Sequence, residues 1–195
     1  MKKQLLSGTA SSRLTAVSVF LSLLSFERSV YPLLLALTVL FHELGHLAMA
    51  YLVGAPVKST GGGLYRLCLY YDPSAISYGR EALICAGGVI FNFVLAALAI
   101  PCLPGPRAEF LLVSNLASAC FNLLPLRILD GGGILRCFLL AHAGVETAER
   151  LARSVSVFFT VLLFIFSVYA QLSLRGSFSL FALSVYMIAD TVLGA

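Results

Sequence analysis

Tryptophan is absent, and only 11% of the 195 residues are Asp, Glu, Lys or Arg. A soluble domain carries roughly 25% charged residues. The deficit excludes an ordinary water-soluble core and indicates an integral membrane protein. With no tryptophan, interfacial aromatics must come from the eight Tyr and fourteen Phe. Cysteine is sparse and widely spaced: Cys68, Cys85, Cys102, Cys120 and Cys137 form no Cys-x-x-Cys pair. That argues against a disulfide framework and a cysteine zinc site, and leaves the thiols as small apolar packing groups. The net charge of +4 contains no basic run with interleaved aromatics, so no nucleic-acid partner is expected. There is no internal repeat, low-complexity stretch or second soluble domain. Residues 1–195 read as one domain.

What is abundant is apolar length. The chain is 59% hydrophobic with mean hydropathy +0.96. Apolar stretches run over Leu14–Phe26, Tyr31–Val53, Ala82–Leu103, Phe110–Leu126, Val155–Leu174 and Phe178–Leu193. A bilayer core takes about 20 helical residues, so the expectation is an all-α polytopic membrane protein of about six transmembrane helices. The first stretch is short and follows Arg13. No small-x-small cleavage site lies near Phe26-Glu27, which favours a retained helix over a signal peptide. With a cytoplasmic N-terminus, ten Lys and Arg fall on the cytoplasmic side, against Arg28, Arg107 and Arg175 on the other. This bias predicts a multi-pass cell-membrane protein with loops 54–81 and 127–154 in the cytoplasm.

The first of those loops carries Gly61-Gly62-Gly63 between two β-prone runs, Val57–Thr60 and Leu64–Tyr71. Flexible glycine between such runs predicts a small membrane-associated β-hairpin, or else a plain interfacial connector.

The second apolar stretch contains His42-Glu43-Leu44-Gly45-His46 and no other charged residue. Ionisable groups at bilayer depth cost about 2.5–3.5 kcal/mol each on insertion scales, so three together require a purpose. On a helix, His42 and His46 share one face, about 6 Å apart along the axis. Two imidazoles so placed can hold one metal ion, with Glu43 about 100° round the helix as a general base. The alternative is a buried polar cluster joining helices.

Catalytic zinc usually takes a third protein ligand and a water. The favoured third ligand is Asp130, in Asn122-Leu-Leu-Pro125-Leu-Arg-Ile-Leu-Asp130-Gly-Gly-Gly133. Pro125 breaks helical pairing, and irregular backbone at membrane depth is tolerated where it lines a protein cavity. An ordinary helix cap is the other reading of Asp130, and Asp190 is the main rival ligand. Ala86-Gly87-Gly88 permits close helix approach, and Asn92 one turn on is a candidate to bind substrate or an oxyanion. Asn92 and Asn122 read equally well as interhelical hydrogen-bonding residues.

Together these segments resemble the site-2 protease family of intramembrane zinc metalloproteases. His42–His46 matches its zinc motif, Asn122–Pro125 through Leu129–Gly131 its Asn/Pro/Asp-Gly motif, and Ala86–Gly88 with Asn92 its intervening segment. The resemblance is greatest to the compact bacterial branch, which includes a sporulation protease that releases a membrane-tethered pro-sigma factor; neither a CBS nor a PDZ domain is expected here. It implies Zn2+ held by His42, His46 and Asp130, with Glu43 as base; Asn92, Asn122 and Gly62 are the substrate-binding or oxyanion candidates among the residues. The implied substrate is a transmembrane or membrane-tethered protein, with a regulatory membrane protein as a further partner and the active site opening to the cytoplasm. Two His and a carboxylate also suit a non-haem iron oxygenase, and a non-catalytic scaffold or permease is a third reading.

Overall fold

Six helices and one strand pair make up the described part of the chain. The computed structural model describes residues 30–55, 57–61, 68–71, 76–173 and 178–193. In order they are α1 (Tyr31–Leu52), β1 (Val57–Gly61), β2 (Cys68–Tyr71), α2 (Tyr78–Cys102), α3 (Pro106–Asn122), α4 (Asp130–His142), α5 (Val145–Ser173) and α6 (Phe178–Leu193). Helices α1, α2 and α5 are long and apolar enough to cross a membrane. Helices α3 and α6, at 17 and 16 residues, are shorter. The stretch Leu14–Phe26 lies outside the described residues.

The helix starts follow local rules. Pro at the first turn opens both α1 and α3, where a missing N–H is not needed. Ser77 caps α2, its hydroxyl accepting from the Arg80 N–H, and Glu81 sits in the positive first turn. Strands β1 and β2 pair antiparallel, with a bulge between Val57 and Ser59.

Helix α2 is the hub, packing against α1, α3 and α4. Its contact with α1 is made at glycine: a Cβ on Gly87 would lie 2.9 Å from Met49 Cβ, and one on Gly45 2.9 Å from Phe91 Cβ. With hydrogen in both places the two backbones meet, the usual means of close helix approach in lipid. Below this crossing, Leu34, Leu95, Ala99 and Leu111 form an apolar core between α1, α2 and α3. Within it, Asn115 Nδ2 donates to Thr38 Oγ1 at 3.0 Å and to Leu111 O at 2.8 Å, joining α3 to α1.

The structure corrects the expected loop at 127–154. Most of it is helix: all of α4 and the first three turns of α5. Arg136 on α4 donates through Nε to Glu149 Oε1 on α5 at 2.9 Å, tying the two together. The pattern was hard to read because α4 is short and opens on three glycines, residues that ordinarily weaken a helix.

Candidate metal centre

The site is assembled from three helices. Helix α1 supplies His42 and His46, α2 lines them, and α4 brings Asp130. The 3.6-residue repeat puts both imidazoles on the α1 face that packs against α2. They need room there, and Gly88 provides it: an added Cβ would lie 2.6 Å from His42 Cε1 and 2.7 Å from His42 Nε2.

Asp130 arrives by a buried irregular segment. After Asn122 the chain leaves the helix around Pro125, and Leu126, Ile128 and Leu129 plug into a core with Met187, flanked by Phe159 and Leu163. Ser156 on α5 accepts the freed Arg127 N–H at 2.9 Å. Helix α4 then begins at Asp130, whose carboxylate lies at the positive end of the helix dipole. The glycines that follow form the first turn of α4. Their small size is what matters, since a Cβ on Gly131 would lie 2.6 Å from Leu124 O, and one on Gly133 2.8 Å from Cys85 Sγ.

Three potential ligand atoms converge, all within 4.8 Å of one another. His42 Nε2 and His46 Nε2 are 3.2 Å apart. Asp130 Oδ2 is 3.1 Å from the first and 3.4 Å from the second. Yet Oδ2 is buried without a partner in hydrogen-bond geometry, so neither imidazole satisfies the carboxylate oxygen. Tetrahedral coordination with bonds of about 2.0–2.1 Å separates ligand atoms by about 3.3 Å. The donor set and its spacing therefore fit a metal ion. His46 Nδ1 lies 2.8 Å from Ile84 O; donation to that carbonyl leaves Nε2 free for a metal.

Glu43 follows His42 on α1 and is half-buried beside the cluster, outside the converging trio. Asn92 is fully buried and reaches His42 Nδ1 at 3.3 Å and Ser118 Oγ at 2.8 Å. Asn122 is buried and donates to Ser118 O at 3.0 Å. Gly62 and the side chain of Asp190 lie outside the described residues. Ser118 and the Ile84 carbonyl escaped sequence reasoning. Ser118 was discoverable, since Asn115, Ser118 and Asn122 recur at helical spacing as a polar stripe on α3; a helix carbonyl leaves no sequence signal.

Neither a family model nor a curated protein matches this chain. Among solved structures it is similar to the "Site-2 Protease from Methanocaldococcus jannaschii", with TM-score 0.63 and 21% identity over 94% of this chain and 87% of that one. The chain therefore has the fold of a site-2 protease, and that fold places His42, His46 and Asp130 around one point.

Proposed function

We propose that this protein is an intramembrane zinc metalloprotease, cutting membrane-spanning or membrane-tethered proteins such as pro-proteins or anchored transcription factors. The observation that carries this reading is the trio His42, His46 and Asp130, drawn from distant parts of the chain to ligand spacing with Glu43 alongside. His42, His46 and Asp130 would hold the ion. Zinc, when bound, lowers the pKa of water toward about 7 and polarises a carbonyl.

Glu43 stands where it can take a proton from the attacking water and pass it to the leaving amine. The helix carrying it is fixed against α2 by the Gly45–Gly87 contact, so the carboxylate keeps its place beside the ligands. A helical peptide bond is shielded by its own hydrogen bonding, so a substrate must unwind before cleavage. The β1–β2 pair suits that step, because an extended segment can add to a strand edge. Gly62 is a candidate to contact the substrate there. Asn122 is a candidate to bind substrate. The ten-to-three distribution of basic residues supports a cytoplasmic opening of the site.

Glu43→Gln tests the reading. The amide keeps the volume but cannot accept the proton, so cleavage of a co-expressed tethered substrate should fall about 10²–10⁴-fold. Zinc measured in the purified protein by mass spectrometry should be unchanged. Cleavage at the wild-type rate would remove Glu43 as the base, and iron in place of zinc would turn the reading toward an oxygenase.

A further inference from the structure

The two histidines are held by different means. His46 Nδ1 faces a main-chain carbonyl, Ile84 O, at 2.8 Å. At His42 Nδ1 the neighbouring group is a side chain, the amide of Asn92 at 3.3 Å. That amide also contacts Ser118 Oγ at 2.8 Å, and Ser118 Oγ lies 3.4 Å from Asn122 Nδ2. Asn92 is 0% exposed, and its Oδ1 is buried without a hydrogen-bond partner.

We propose that Asn92, backed by Ser118, is a positioning residue that holds His42 with its proton on Nδ1 and its Nε2 turned to the metal. This rests on the metalloprotease reading and deepens it. An imidazole that ligates through Nε2 keeps its proton on Nδ1 and needs an acceptor there. The amide of Asn92 can supply one. Its two ends have nearly the same shape, and a half-turn brings Oδ1 against both His42 Nδ1–H and the Ser118 hydroxyl. The oxygen then accepts two hydrogen bonds, and the Nδ2 amine turns to the position that has no partner. This differs from substrate or oxyanion binding: Asn92 acts through His42.

The test compares zinc affinity and the visible spectrum of the cobalt(II)-substituted protein for Asn92→Leu, Asn92→Asp and Ser118→Ala. Affinity is read by chelator competition in detergent. Leucine matches the volume but accepts nothing, so Asn92→Leu should bind zinc about 10–100-fold more weakly, with an altered cobalt spectrum. Asn92→Asp keeps an acceptor against Nδ1–H and should restore both. Ser118→Ala should weaken binding less than Asn92→Leu. Unchanged affinity and spectrum in Asn92→Leu would overturn the proposal. So would an Asn92→Asp protein as weak as the leucine variant. If circular dichroism shows that Asn92→Leu does not fold, Ser118→Ala decides: weaker zinc binding upholds the proposal, and unchanged binding overturns it. A folded wild-type protein that takes up no zinc would remove the metalloprotease reading itself; loss of Asn92's role alone requires a wild type that binds.

Discussion

The two halves of the bundle solve the same solvent problem with different residues. Around the candidate metal centre, α1, α2 and α4 meet through glycine, and the interior they form with α3 holds His42, Asn92 and the Thr38–Asn115 pair. Helices α5 and α6 meet through larger groups: Phe164 and Phe181 stack with ring centroids 5.9 Å apart, and a polar link joins Ser167 and Ser184 at 2.8 Å. The outward face of α5 exposes Phe158, Leu162, Ile165 and Phe166. Where side chains from several helices must reach one point, backbones have to approach closely and each polar group needs a partner. Where a helix pair only has to cover apolar surface, bulky packing suffices. Helix α5 still serves the centre, because Ser156 and Phe159 hold the segment that delivers Asp130.

The contrast can be broken most severely at Asp130. Asp130→Ala removes one of three converging ligand atoms, so zinc affinity should fall by more than the roughly 10–100-fold typical of losing a supporting hydrogen bond. Proteolysis should be abolished. Metal analysis beside Asp190→Ala checks this: full zinc in the first and loss in the second would move the third ligand to α6. Gly88→Ala comes next. Its methyl would lie 2.7 Å from His42 Nε2, and the strain should cost about 1–3 kcal/mol together with much of the bound zinc. Thermal unfolding with and without zinc measures both effects, and a variant with wild-type zinc would show that the α1–α2 contact is looser than the glycines imply. The smallest effect belongs to the other half. Ser184→Ala should cost about 0.6 kcal/mol, the mean for interhelical hydrogen bonds in membranes, with zinc content unchanged. Zinc lost in that variant would show that the α5–α6 pair is coupled to the centre and erase the distinction.

Much of the candidate metal centre could be read before the fold was known. His42, Glu43 and His46 declare themselves because ionisable residues in an apolar span are costly and their spacing is helical. Asp130 stood out by the Pro125 break before it. The role of Gly131–Gly133 was not legible, because it is a packing requirement of a helix set by neighbours distant in the chain, such as Cys85. The helices within 127–154 lay outside the apolar stretches, and α4 forms despite three glycines because it packs against α2 and α5.

By itself, the sequence determined the apolar length of the helices, the shared face of the two histidines and the chemical types available for a ligand set. Each follows from composition or from the repeat of a single helix, and both are local properties. Only the tertiary structure decided that Asp130 reaches that face, that Asn92 and Ser118 stand behind His42, and that Ile84 offers its carbonyl to His46. Those distances depend on how far apart helices pack and how each is rotated about its axis. Contacts such as Gly45 on Gly87, and Leu126 in its pocket, set both. Such contacts join residues far apart in the chain, and no local repeat encodes them.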